Sequence, residues 1–186
     1  MRKQLKRALG FGLALTAAGA ATANDLYMDL SSDTFQIRTD FTHASNGVNF
    51  SVAALLTEDQ GQVFSGGMAT FGKVGNSTAL SGGVGGKLYY GDTNNDNITA
   101  LGLGGTLNFA IPGASGLNLV TDLYYAPSIT VNDGFDNLSD LNLRLSWEAF
   151  ENGAIYGGIR RFQAEYKNGD RHKFENGLMV GIKIEF

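Results

Sequence analysis

The chain of 186 residues has no cysteine, which excludes a disulfide framework and any thiolate metal centre. Proline is confined to Pro112 and Pro127, both in stretches that read as connections between elements. Basic residues are in the minority, 14 Lys and Arg against 18 Asp and Glu, a balance that argues against nucleic acid as a partner. Long apolar runs are missing as well. Beyond residue 23 no stretch stays apolar for the roughly 20 residues a membrane helix needs, so no helical span is expected there.

What is present begins with a leader. Arg2, Lys3, Lys6 and Arg7 precede an uncharged run from Ala8 to Ala20, and Ala21-Thr22-Ala23 follows. A basic start, an apolar middle and a small-residue ending describe a secretory signal peptide. Residues 1–23 are therefore expected to be removed after Ala23, leaving residues 24–186 as one domain. Cleavage would take away four basic residues and no acid, leaving ten bases against eighteen acids, a formal charge of −8. An exported chain without a membrane helix has two destinations, a soluble periplasmic fold or a closed barrel. Only the barrel pairs every backbone polar group within lipid.

Residues 178–186 favour the barrel. Leu178, Val180, Ile182, Ile184 and Phe186 alternate with Met179, Gly181, Lys183 and Glu185, a two-residue period that makes one face apolar and the other wet. Nine further segments of the same kind lie at residues 25–31, 34–42, 48–57, 62–73, 78–90, 99–111, 117–126, 139–150 and 154–166. Segments of about ten residues, tilted, are long enough to cross the hydrocarbon layer. The fold class is thus an all-β, single antiparallel up-and-down transmembrane barrel of ten strands, or of eight if residues 25–42 lie outside it. A bulge near Arg160-Arg161 is expected to reconcile Ile155 and Ile159 with Phe162 and Tyr166, since one extra residue switches the faces.

Connections and aromatics suggest two distinct ends. Polar links at 31–33, 58–61, 91–97, 127–137 and 167–173 alternate with glycine-bearing links at 43–47, 74–77, 112–116 and 151–153. Short periplasmic turns and longer outer loops are usual in outer-membrane barrels, which would place both chain ends on the periplasmic side. Tyr27, Phe41, Phe50, Phe71, Phe109, Trp147, Phe150, Tyr156 and Phe186 gather near the first kind of end, and Phe35, Phe64, Tyr89, Tyr90, Tyr124, Tyr125, Tyr166 and Phe174 near the second. Two such rings read as interfacial girdles. With the apolar faces toward lipid, the lumen would receive Asp29, Arg38, Asp40, Lys87, Asp122, Arg144, Glu148, Arg161, Glu165, Lys183 and Glu185. Unpaired charge away from bulk water is expensive, so these groups are expected to neutralise one another and leave at most a narrow conduit beside the glycine pairs 82–83, 85–86 and 104–105.

Chemistry is harder to find. Asp92 to Asn97 imitates the opening of a calcium loop but has Asn97 where glycine is needed and Leu103 where the closing acid belongs. The glycine clusters lack a following Gly-Lys-Ser/Thr. His43 beside Ser45 and His172 beside Asp170 and Glu175 belong to no local catalytic motif. No catalytic, cofactor or metal site is therefore expected. Arg171, His172 and Lys173, near the outer surface, are placed to meet lipopolysaccharide phosphates.

The leader, the opening Asn24-Asp25-Leu26-Tyr27-Met28-Asp29-Leu30 with Ser32-Asp33-Thr34, the glycine-rich middle and the ending Gly181-Ile182-Lys183-Ile184-Glu185-Phe186 together resemble the YfaZ family of small Gram-negative outer-membrane proteins. That resemblance implies a porin-like barrel and carries over no catalytic residue. The ending, with Ile182, Ile184 and Phe186 in phase, also resembles the signal read by the outer-membrane insertion machinery. The expected partners are accordingly outer-membrane lipid and lipopolysaccharide, the insertion machinery and periplasmic chaperones, and the chain is read as a monomer. The expected function is non-enzymatic, structural or a narrow passage for small solutes. A lipid-modifying enzyme and a soluble periplasmic binding barrel are the alternatives.

Overall fold

A computed structural model describes residues 24–43, 47–58, 61–92 and 97–186. The expected leader, residues 1–23, lies outside the described residues. Ten strands form one closed barrel: β1 (Asp25–Ser31), β2 (Thr34–His43), β3 (Val48–Thr57), β4 (Gln62–Lys73), β5 (Leu80–Asp92), β6 (Asn97–Ala110), β7 (Leu117–Ala126), β8 (Phe135–Phe150), β9 (Gly153–Tyr166) and β10 (Arg171–Glu185). Each pairs antiparallel with its neighbour in sequence, and β1 closes the ring on β10, with Asp25 opposite Glu185 and Leu30 opposite Val180. Residues 25–42 are therefore part of the wall, which removes the eight-strand alternative. No helix among the described residues is long and apolar enough to cross a membrane.

Alternation sets the two faces. On β10 Leu178, Val180 and Ile182 are exposed while Met179 is buried, Phe186 just past its end is exposed too, and on β8 Leu145 and Trp147 are exposed while Asn142 and Arg144 are buried. Large apolar side chains stay open all round the wall, among them Val84 at 72% exposure, Leu103 at 64% and Leu178 at 76%. In water each would forfeit about 1.5–3 kcal/mol of burial. In hydrocarbon the same surface is satisfied, and the closed ring gives every strand a paired neighbour on both sides.

Two expectations about the ends change. The connections do not differ in length as expected, because strands absorb the polar residues: Gly91 and Asp92 belong to β5, Asn97 to β6, Phe135 to Leu138 to β8 and Arg171 to Lys173 to β10. The wall thus continues past the apolar band at this end, called the loop end below. The opposite end carries Asp25 and Glu185 and is called the terminal end. The girdles also divide by face. Phe35, Phe41, Phe50, Phe64, Tyr90, Phe109, Tyr125, Trp147, Phe150 and Phe186 fall on outward positions, whereas Tyr27, Tyr156, Tyr89, Tyr124 and Phe174 fall on inward ones. Position along a strand does not reveal face; parity does.

No register shift occurs at Arg160-Arg161. Strand β9 runs in unbroken alternation from Gly153 to Glu165, and the shift lies across the pair, between Lys173 and Glu175 on β10, with others near Phe135/Asn137 and Trp147/Phe150 of β8. The extra residue is Phe174, so Phe174 and Glu175 are both buried while Lys173 and Asn176 on either side are exposed.

The glycines serve curvature more than lumen space. A Cβ on Gly104 would stand 2.0 Å from the Leu123 carbonyl oxygen, one on Gly85 2.1 Å from that of Met68, and one on Gly158 2.1 Å from that of Leu143. Neighbouring strands approach too closely there for any side chain, as sharp coiling of a narrow barrel demands. Gly104→Ala is expected to cost about 1–3 kcal/mol and to lower the folded fraction, measured as the share of chain that keeps its compact electrophoretic mobility until heated. Unchanged folding would show that the wall relaxes at no cost.

Candidate functional site: the barrel lumen

The lumen has three layers. At the terminal end lies a polar vestibule of about 360 Å³, bordered by Asp25, Asn49, Ser51, Asn118, Ser146, Glu148, Lys183 and Glu185. Lys183 Nζ stands 2.6 Å from Glu185 Oε1 and 3.3 Å from Asp25 Oδ2, and the Asn118 amide donates to Glu148 Oε1 at 3.3 Å. These groups keep partial contact with water, where such pairs contribute about 1 kcal/mol at most.

The middle layer is an ionic lattice strung across the barrel. Asp122 on β7 accepts a hydrogen bond from Thr106 Oγ1 at 2.5 Å and lies 3.2 Å from Arg144 Nη2 and 3.9 Å from Arg38 Nη1. Arg38 also reaches Asp40 at 3.3 Å and stacks its guanidinium 3.9 Å above the Tyr27 ring. Beside this group Asp29 binds Arg160 Nη1 at 2.8 Å and accepts from Tyr156 OH at 3.0 Å. Asp140 accepts from Tyr89 OH at 2.9 Å and from Lys87 Nζ at 3.4 Å, and the Lys87 ammonium sits 4.4 Å from the Tyr124 ring centre. Every cation here has a carboxylate, an aromatic face or both, the arrangement a buried charge requires. Gly181 makes room for it: a Cβ there would strike the Tyr156 ring at 2.5 Å.

Above the lattice a cavity of only about 30 Å³ remains, about one water's worth. Beyond it the lumen turns apolar. Leu55, Val63, Tyr89, Ile98, Ala100, Tyr124, Ala126, Phe135, Leu138, Phe162, Ala164 and Phe174 form one buried cluster. Phe162 stacks on Phe174 at 4.9 Å, Tyr89 tilts against Phe162 at 5.6 Å, and Phe135 stacks on Tyr166 at 4.5 Å. The link between β7 and β8 packs Val131 against the cluster. Asn132 fixes that link, accepting from Thr99 N at 2.9 Å and donating to Asn97 O at 2.8 Å. The loop end of the barrel is therefore filled by a hydrophobic plug made from the wall's own side chains.

Of the residues expected in the lumen, the structure brings Asp29, Arg38, Asp40, Lys87, Asp122 and Arg144 into the lattice and sets Glu148, Lys183 and Glu185 around the vestibule. Arg161 and Glu165 are corrections. With no bulge on β9 they stay in phase with Ile155 and Ile159, and Arg161 is exposed on the outer wall. Four charged lumen residues were not foreseen: Asp25, Arg160, Asp140 and Glu175. Parity alone would have placed Asp140 with Asn142 and Arg144, and Arg160 with Tyr156. Glu175 accepts from Ser31 Oγ at 2.6 Å and from Thr34 Oγ1, and it too shares the phase of Met179, Lys183 and Glu185, the bulge acting on the residues before it. Ile182 and Ile184 occupy the outward face of β10, and Phe186 is exposed just past its end.

No group of three or more His, Cys, Asp or Glu suited to a metal ion occurs among the described residues. His172 sets its ring edge-on to Phe174 at 4.6 Å. His43 closes β2, and its neighbour Ser45 lies outside the described residues, as do positions 93–96 of the calcium-loop imitation.

The family model described as YfaZ precursor matches residues 3–186. The chain belongs to the YfaZ family. No curated protein matches it in sequence. Among solved structures, it is similar to the KdgM porin, at 12% identity and a TM-score of 0.47, over 87% of this chain and 98% of that one. A second structure of that porin, in complex with disordered oligogalacturonate, gives the same figures. The outer membrane channel DcaP of Acinetobacter baumannii matches at 12% identity and a TM-score of 0.44, over 86% of this chain, which spans about half, 54%, of that protein's length.

Proposed function

We propose that this YfaZ-family chain is a non-enzymatic, porin-like barrel of the outer membrane that rests in an occluded state. The observation that carries this reading is the layering of the lumen, in which a vestibule of about 360 Å³ gives way to a cavity of about 30 Å³ and then to a buried apolar cluster. Water and ions meet a salt-bridged lattice first and a dewetted constriction second, and hydrophobic constrictions gate pores by excluding water. Solute passes only when the plug is displaced. The apolar outer wall and the family membership support the membrane placement, with the terminal end toward the periplasm. The outward Ile182, Ile184 and Phe186 provide the surface that the insertion machinery would read.

Planar-bilayer recording of the folded protein tests the reading. Current at the lipid baseline, interrupted at most by rare brief openings, is the expected outcome. A steady open conductance in the unmodified protein would refute the occluded state.

A further inference from the structure

The bulge on β10 has a second effect, on the outside of the barrel. By adding Phe174, it turns Lys173 and Arg171 onto the outer wall, where they join Arg161 of β9. The register sets Ile159 opposite Leu178, then Arg161 opposite Asn176, Gln163 opposite Lys173 and Glu165 opposite Arg171. Ile159 and Leu178 are exposed apolar residues of the belt. Arg161 therefore stands about 7 Å beyond the last apolar rung of the β9–β10 pair, at about 3.3 Å of rise per residue, with outward Leu141 of β8 beside it, and the other two cations continue the line away from that rung. Arg161, Lys173 and Arg171 are all exposed. The acid paired with them is Glu165, 3.4 Å from Arg171 Nε, with Asp170 next in the chain to Arg171, while Arg161 Nε donates to the Gln163 side chain at 3.2 Å. Elsewhere the rim of the loop end is acidic, with exposed Asp33, Glu58, Asp92, Asp133 and Asp136.

We propose that this ladder is a docking site for the phosphorylated headgroup of a membrane glycolipid whose acyl chains lie along the apolar wall below. A membrane lipid places its phosphate just outside its acyl chains, which is how Arg161 and its neighbours stand to Ile159 and Leu178. Arginine and lysine are the side chains suited to phosphate, and three of them stand here in line on one outer face of the rim. The inference rests on the barrel spanning a membrane but not on the lumen being closed, so a conducting wild type would leave it standing.

Native mass spectrometry of the full, folded protein in neutral detergent tests it, with bisphosphorylated lipid A as the probe and the same lipid stripped of phosphate as the control. The intact protein should retain the phosphorylated lipid, and excess inorganic phosphate should not displace it. The Arg161→Gln/Arg171→Gln/Lys173→Gln variant should bind about a hundredfold more weakly, given roughly a fivefold contribution per interfacial cation. Lys167→Gln, a loop cation paired with Asp133 at 3.5 Å, should leave binding as it was. Glu165→Gln should strengthen binding, a gain that misfolding does not produce. Equal retention of the dephosphorylated lipid, displacement by inorganic phosphate, full binding by the triple variant, or weaker binding by Glu165→Gln would each overturn the proposal.

Discussion

Replacing Tyr89, Phe162 and Phe174 together by alanine is expected to convert an occluded barrel into a conducting one. These rings form a continuous chain across the plug, with centres 5.6 and 4.9 Å apart, and each is at least 96% buried. Their removal takes away the side chains that fill the lumen beyond the small polar cavity. It also leaves Asp140 without its tyrosine donor, so the new space is lined at its base by Lys87 and an incompletely paired carboxylate and takes up water. In soluble cores each such truncation costs about 3–5 kcal/mol. Here the ten-strand hydrogen-bond ring stays closed, and the enlarged lumen refills from both ends, so the loss should fall below the sum. Steps of conductance absent from the wild type are the expected record. A folded triple variant with no added current would show that the path is blocked elsewhere, with the link anchored by Asn132 the next place to look.

The second large effect belongs to Asp122. Its carboxylate lies between Arg144 and Arg38 and takes the Thr106 hydroxyl as a third partner. Asp122→Ala leaves two buried guanidinium groups facing each other, and Arg38 alone keeps a carboxylate, Asp40, at 3.3 Å. Breaking a buried ion pair on one side costs about 3–5 kcal/mol, and that loss should appear as a lower urea midpoint for unfolding from lipid vesicles. Asp122→Leu/Arg144→Met should regain most of it, because removing both partners leaves no unpaired charge. If Asp122→Ala unfolds at the wild-type midpoint, the lattice is hydrated and contributes little to stability.

Much of the fold was legible in the sequence because the two-residue period is strong wherever one face meets lipid and the other meets charge. Strands β7 and β8 show it plainly, with Leu119, Leu123, Leu145 and Trp147 outside and Asp122, Asn142 and Arg144 inside. The errors cluster where that contrast fades. From Arg160 to Tyr166 the inward residues are Arg160, Phe162, Ala164 and Tyr166 and the outward ones Arg161, Gln163 and Glu165. An aromatic reads as lipid-facing only while the lumen is assumed to be polar. In the loop-end half the lumen is apolar apart from Glu175 and its hydroxyl partners Ser31 and Thr34, and the outside is wet, so the polarity of the faces reverses while the parity does not. A bulge at Arg160-Arg161 would mimic this reversal, but the extra residue lies across the pair, on β10. The true bulge, at Phe174, is hard to see locally, because Lys173, Phe174 and Glu175 present a charged residue on either side of an aromatic.

The same reversal explains why the lattice was only partly foreseen. Asp29, Arg38, Asp40, Lys87, Asp122 and Arg144 share a phase with polar neighbours and were readable, but their partners come from strands distant in sequence. Asp29 meets Arg160 and Tyr156, and Lys87 meets Asp140. Such contacts across a closed ring depend on strand tilt and stagger, which no local pattern encodes.

The absence of native cysteine allows the central claim to be tested with single labels. Nitroxide spin labels placed one at a time at Val180→Cys and Leu103→Cys on the outer wall and at Ser146→Cys in the vestibule can be relaxed in liposomes by oxygen, which concentrates in lipid, or by a water-soluble nickel chelate. The account predicts that the Val180 and Leu103 labels respond to oxygen and are shielded from nickel, while the Ser146 label shows the opposite response. Nickel access at Val180 or Leu103, with oxygen dominant at Ser146, would contradict an apolar exterior around a charged interior.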